Sequence, residues 1–242
     1  MITSKSNALI KHIRLLKEKK YRKEFGEFFV EGEKMVREST TSGIERVATI
    51  VSASYEGETF SLPVETVSDE VFASVTDEKT PQGILTVLRI PRRELVSPKE
   101  SCLLLDHIAD PGNMGAIVRT ANAAGYRSIY CIGCTDPFAP KSVRSSMSGI
   151  FFTRLYFGSE EEILGAIDCP IVAGDMHGED LFSFRAPERY ALAIGNEANG
   201  LSDTVRLAAA HTVAIPMERS QESLNAAVSA GIIMYTLKYG KE

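Results

Sequence analysis

Nowhere in these 242 residues does an apolar run approach the roughly 20 needed to cross a bilayer, and the first residues are polar and basic with no apolar stretch behind them. A cytoplasmic protein with no membrane partner is expected. Cysteines number only four (Cys102, Cys131, Cys134, Cys169), all in apolar or strand-like surroundings, which argues against a disulfide framework. Cys131 and Cys134 form a C-x-x-C, but no second pair of matching spacing follows it. No cluster of ligand residues has metal-binding spacing either, so neither a metal site nor a metal-dependent hydrolase is expected. G-x-G-x-x-G and G-x-x-x-x-G-K-[ST] are both absent, which removes a dinucleotide fold and a P-loop nucleotidase. The net charge of −5 excludes a chain coated in positive charge, although nucleic-acid binding follows local patches and not the total.

One such patch is present. Between Met1 and Lys23 stand Lys5, Lys11, Arg14, Lys17, Lys19, Lys20, Arg22 and Lys23, opposed only by Glu18. Leu9, Ile13 and Leu16 recur there at helical spacing, so one amphipathic helix is expected to bury a stripe and turn its cations to solvent, where Lys11, Lys19, Lys20, Arg22 and Lys23 are candidates for nucleic-acid phosphates. A solvated helix face is the alternative. Short strands at 27–31, 46–51, 64–67 and 84–87 with intervening helices make a small α/β unit. The segment Arg89–Glu100, with two prolines and mixed charges, reads as a linker. The boundary is placed near Ser97, giving domains 1–96 and 97–242. Beyond it, strands at 102–105, 128–132, 151–156, 171–173 and 190–194 alternate with helices, one of them near 160–166, which implies a mostly parallel sheet covered on both faces.

Ligands of parallel α/β sheets bind beyond the C-terminal ends of strands, so the loops after Leu105, Ile194 and Ile215 draw attention. In the first, Asp110, Pro111 and Gly112 read as a turn with Asn113 as helix N-cap. Ile117, Ala121 and Ala124 then form a buried stripe, leaving Arg119 free to face a ligand. In the second, Gly195 and Gly200 allow a sharp turn that presents Glu197. The third leads into a helix over Ser223–Lys238 that is apolar almost all round (Leu224, Ala227, Val228, Ile232, Tyr235) and so is expected to be buried, with Ser223 and Asn225 at its start.

These three strings resemble the motifs of the SpoU/TrmH methyltransferases of the SPOUT superfamily: N-x-G-A-I-x-R-T-A at Asn113–Ala121, I-G-N-E-x-x-G-L at Ile194–Leu201, and I-P-M…E-S-L-N-x-x-x-A at Ile215–Ala230. The first unit is similar to the RNA substrate-binding domain often joined to them, through Ser4, Asn7, Ile10-Lys11, the Lys19–Lys23 run and Phe29-Val30-Glu31-Gly32. The resemblance implies a trefoil-knotted parallel-sheet domain, a homodimer packed through it, and methyl transfer from S-adenosylmethionine to a ribose 2′-hydroxyl of RNA, 23S rRNA in the first instance. A tRNA enzyme and a catalytically inactive ribosome-assembly factor are the alternatives. It further implies cofactor contacts at Gly195, Ile215, Met217, Leu224 and Asn225, and a catalytic group of Arg119, Asn113, Glu197, Ser223 and Asn225. Whether Arg119 acts as base or as positioner is left open, because a guanidinium with a pKa above about 12 accepts a proton poorly.

Overall fold

The computed structural model describes residues 1–60, 63–218 and 223–240. In chain order its elements are α1 (Ala8–Leu15), α2 (Lys19–Phe25), β1 (Glu27–Glu31), α3 (Glu33–Thr41), β2 (Arg46–Ser52), β3 (Glu65–Val67), α4 (Asp69–Ala73), β4 (Ile84–Arg89), β5 (Cys102–Asp106), α5 (Pro111–Ala124), β6 (Ser128–Ile132), α6 (Pro140–Ser146), α7 (Gly149–Phe152), β7 (Arg154–Gly158), α8 (Glu160–Ala166), β8 (Ile171–Asp180), β9 (Ala191–Ile194), α9 (Asp203–Ala208), β10 (His211–Ala214) and α10 (Ala226–Tyr239). They divide into two compact units. The first comprises Met1–Arg92 together with Asp136–Phe151, and the second Arg93–Thr135 with Phe152–Glu242.

In the first unit the sheet runs β1-β4-β2-β3, antiparallel except for the parallel pair β2–β3. Ile10, Ile13 and Leu16 of the N-terminal segment are buried with Phe29, Ile50, Phe72, Leu85 and Val87. The single helix expected across the basic stretch is two, broken at residues 16–18. The carbonyls of Leu16 and Lys17 would otherwise be left without partners where α1 ends. They accept from the Arg22 guanidinium, at 2.7 and 2.8 Å, so the chain turns and restarts as α2. Phe138 and α6 of the segment 136–151 belong to this unit, Phe138 packing on Phe28 with ring centroids 5.0 Å apart.

The second unit is a six-stranded parallel sheet in the order β10-β8-β9-β5-β6-β7. Every residue of β5, β6 and β9 is buried, as expected of parallel strands covered on both faces. The order reverses at β5: β6 and β7 extend one way, while β8, β9 and β10 lie on the other side. Leu105 pairs with Ile194 and Asp106 with Ile132, so the loops after β5, β6 and β9 leave the sheet at one level, at the point where ligands bind such sheets.

Three local expectations are corrected. Phe151 and Phe152 close a helical turn, and the following strand begins at Arg154. β8 continues to Asp180, well past Ala173, because β10 pairs along its extension through a bulge between Thr212 and Val213. The final helix starts at Ala226, and its buried stripe is Ala226, Ala230, Ile233, Met234 and Leu237, whereas Val228 and Tyr235 are exposed. A helix apolar on every side carries no periodicity from which to choose the inward face. Among the described residues no helix is long and apolar enough to cross a membrane.

Candidate functional site

β5 ends in Asp106 and turns through His107–Ala109 into α5. Asp110, not Asn113, is the N-cap: its carboxylate accepts from the Asn113 backbone N–H at 2.9 Å, with Pro111 at the first helical position. The Asp-Pro pair explains the shift, since aspartate is among the strongest caps and proline's fixed φ suits the position after it. Asn113 therefore stands in the first helical turn with its side chain available.

That side chain joins all three loops. Asn113 Nδ2 donates to Glu197 Oε1 at 2.9 Å, and Asn113 Oδ1 accepts from Asn225 Nδ2 at 2.9 Å. Asn225 in turn caps α10, its Oδ1 accepting from Ala227 N (3.0 Å) and Val228 N (3.3 Å). The direction of the chain is forced. Backbone N–H groups fix the oxygen of Asn225, so its nitrogen must face Asn113, whose nitrogen must then face the carboxylate.

Glu197 also accepts from Ala109 N (3.2 Å) and Asp110 N (3.3 Å) at the head of α5, where the helix dipole favours an anion. Partial burial pushes its pKa up, but the hydrogen bonds from the Asn113 amide, its own N–H, Ala109 and Asp110 outweigh this, and the net shift is downward. Glu197 is a carboxylate at neutral pH.

The turn bearing Glu197 is built by Asn196 and Gly200, which exchange backbone hydrogen bonds at 2.8 and 3.0 Å. Asn196 Nδ2 ties it to the His107 carbonyl at 2.8 Å. A Cβ on Gly195 would stand 2.3 Å from the Gly200 carbonyl carbon, so only glycine fits there. Beside the turn lies a cavity of about 420 Å³. Gly195, Glu197, Ile215, Met217, Ser223 and Leu224 all line it, while Asn113 and Asn225 stand in the hydrogen-bonded chain that Glu197 anchors. Arg119 lies on the exposed face of α5, away from buried Ile117 and Val118, with no ion-pair partner among the described residues.

Sequence reasoning missed two acidic residues. Asp175 lines the cavity, its Oδ2 3.1 Å from the Arg206 guanidinium and its Oδ1 accepting from His177 N. The run Gly174-Asp175-Met176-His177 after an apolar strand was the available signal. Asp106 is fully buried at the end of β5, bonded to His107 Nδ1 and Ser202 N, both at 2.6 Å. Among the described residues no group of three or more His, Cys, Asp or Glu could hold a metal ion.

In the first unit Lys11, Lys19, Lys20 and Lys23 are exposed, whereas Lys5 and Lys17 pair with Glu70 and Asp77. Arg22 is corrected from surface cation to internal tie. Its side chain is 4% exposed and meets Asp136 Oδ2 through Nε at 2.8 Å and Nη2 at 2.7 Å, which leaves nothing for a phosphate.

Residues 100–235 match the model of the SpoU rRNA Methylase family. The chain belongs to this family. Residues 7–86 match the MRM3-like substrate binding domain. The chain is 29% identical to the 23S rRNA (guanosine(2553)-2′-O)-methyltransferase of Bacillus subtilis over 98% of both proteins. Its structure is similar to an AdoMet-bound rRNA methyltransferase from Sinorhizobium meliloti, with a TM-score of 0.89, 28% identity, and coverage of 100% of this chain and 98% of the other. The SpoU methyltransferase AviRb from Streptomyces viridochromogenes, in complex with AdoMet, gives 0.86 at 26% identity, covering 96% of this chain and 97% of that one. This SpoU-family chain is thus a methyltransferase.

Proposed function

We propose that this methyltransferase moves the methyl group of S-adenosylmethionine to a ribose 2′-hydroxyl of 23S rRNA. The observation that carries the reading is that the three family motifs meet in one hydrogen-bonded chain, Asn225–Asn113–Glu197, whose last member lines the 420 Å³ cavity. The cavity suits the cofactor chemically. Ile194, Ile215, Leu224 and Ile233 give an apolar lining, and the carboxylates of Asp175 and Glu197 favour a cationic ligand. Its volume lies within the range of about 300–1,000 Å³ usual for such sites. Gly195, Ile215, Met217, Leu224 and Asn225 would hold the cofactor, and when bound it supplies an electrophilic methyl group on a sulfonium.

The chain's own groups then align and polarise. Glu197, already accepting several N–H donors and shifted downward, is a poor proton acceptor, and its part is to hold Asn113 and the head of α5 in place. Asn113 and Asn225 each keep one amide hydrogen beyond the chain they form, available to a ribose or phosphate oxygen. Arg119, exposed and without an ion pair among the described residues, would bind the target's phosphate and stabilise negative charge growing on the 2′-oxygen. Ser223, at the cavity wall, completes the group.

The N-terminal domain read from the sequence over 1–96, the core of the first unit, would present Lys11, Lys19, Lys20 and Lys23 to RNA phosphates. The family resemblance supports a trefoil knot in the second unit, residence in the cytoplasm, and a homodimer, for which exposed Val228, Tyr235 and Tyr239 on α10 offer apolar surface. The test is transfer of labelled methyl from S-adenosylmethionine to unmodified rRNA and tRNA, with Arg119→Ala alongside and the product mapped by nuclease digestion. Label on one ribose of 23S rRNA, lost in the variant, is expected. Label on tRNA alone would move the substrate, and no label on any RNA or ribosomal particle would overturn the activity.

A further inference from the structure

A second cavity, of about 530 Å³, opens where β5, β6 and β9 end, and shares Asn196, Asn199 and Gly200 with the first as a common wall. Its most unusual lining residue is His107. The backbone there is left-handed, φ +56°, a conformation histidine rarely adopts, and several bonds hold it: His107 N donates to Ile132 O (2.8 Å), its carbonyl accepts from Asn196 Nδ2, and Thr135 N donates to Ile108 O (2.8 Å). The ring rests on Gly133, where a Cβ would come within 2.5 Å of Nε2 and Cδ2.

Asp106, wholly buried, accepts from His107 Nδ1 through one oxygen and from Ser202 N through the other. A buried carboxylate at Nδ1 fixes that nitrogen as the protonated one, so Nε2 is the atom left to meet a ligand. The side chain is nonetheless 53% exposed. A strained turn and a buried charge together orient an imidazole that the methyl-transfer chemistry above does not use.

We propose that this cavity receives the base of the nucleotide whose ribose is methylated, with His107 as the residue that reads it. The inference rests on the proposed function and adds to it the place of the base. Single-stranded RNA is recognised by splaying bases onto flat side chains, histidine among them, and hydrogen-bonding their edges. Here the imidazole supplies the flat edge with one hydrogen-bonding nitrogen, and buried Ile108 and Leu201 supply apolar wall. The same short turn carries His107 at one end and, at the other, the N–H groups of Ala109 and Asp110 that hold Glu197. Base and ribose of one nucleotide would thus be gripped by a single rigid segment.

The experiment is a cycle on the full chain: kcat/KM at saturating S-adenosylmethionine for wild type and His107→Gly, each on the mapped RNA and on the same RNA abasic at the target. Glycine is chosen because it accepts the left-handed backbone. His107→Asn, also tolerant of that conformation, serves as second variant, and cofactor affinity by calorimetry checks the fold. Expected losses are about tenfold for the variant on intact RNA and about tenfold for wild type on abasic RNA, but only about twofold further when both are removed. Losses that multiply, or a variant within about twofold of wild type on intact RNA, would overturn the assignment. A wild type inactive on every intact RNA would instead mark failure of the function beneath it.

Discussion

Replacing Arg22 with methionine separates two accounts of the basic segment. As a surface cation, Arg22 would contribute to RNA affinity and little to stability. Inside the first unit it makes four short bonds: two to Asp136 Oδ2, at 2.8 and 2.7 Å, and one each to the carbonyls of Leu16 and Lys17. Arg22→Met would strand a mostly buried carboxylate with the Phe138 N–H as its remaining hydrogen-bond donor to the side chain among the described residues, and would strip two carbonyls at the α1–α2 break. Removing one partner of a buried pair costs about 3–5 kcal/mol, which at this chain length lowers Tm by on the order of 10 °C. Asp136→Asn keeps one acceptor oxygen, for Arg22 or for the Phe138 N–H but not for both, and should cost about 1–3 kcal/mol. The double variant, with no buried charge left over, should be no less stable than Arg22→Met alone. The chain has no tryptophan, so far-ultraviolet circular dichroism and calorimetry are the assays, with filter binding for RNA. A loss below about 1 kcal/mol in Arg22→Met, combined with weaker RNA binding, would refute the internal role.

Asn225→Asp retains the oxygen that caps α10 but sets an acceptor against Asn113 Oδ1, so stability should fall by about 1–3 kcal/mol while methyl transfer falls about tenfold or more; melting and initial rates measured together check both. Glu197 has a lowered folded pKa, so the stability it contributes is complete above its ordinary value of 4.5 and is lost as pH falls through the lower folded value. Melting curves of wild type and Glu197→Gln should accordingly converge only below that value, and convergence near neutrality would contradict the hydrogen-bonding described. Changing Lys19, Lys20 and Lys23 together to glutamine should weaken RNA binding and reduce the slope of log K against log salt by about 2–3, with cofactor affinity unmoved. An unchanged slope would remove the patch from the RNA interface.

Much of the architecture was legible because local rules and packing agree. The strands at 27–31 and 128–132 and the helix at 160–166 fall where the sequence places them, the last with a capping box between Ser159 and Glu162. The errors have physical causes. Asp110 and Asn113 are both good caps three residues apart; Pro111 after Asp110 decides for the first, and the bonds of Asn113 to Glu197 and Asn225 use the side chain this releases. Val228 and Ile233 look alike in sequence, and the inward face of α10 is chosen by what packs on it, α5 among others.

The site was legible as three strings but not as a mechanism, because the bonds that define it span the chain. Asn113 and Asn225 are 112 residues apart, Asn113 and Glu197 are 84 apart, and the Arg22–Asp136 tie that removes one supposed RNA contact spans 114. Windows of a dozen residues cannot contain such pairs. Their polarity nevertheless explains why the strings occur together. The cap of α10 fixes Asn225, Asn225 fixes Asn113, and Asn113 with the head of α5 keeps Glu197 ionised at the cavity wall. An aspartate at 113 would set two carboxylates against each other, and a leucine would leave the Asn225 amide and the Glu197 carboxylate each short of a partner. The three motifs are one hydrogen-bonded object, and a change in any one of them must be answered in the other two.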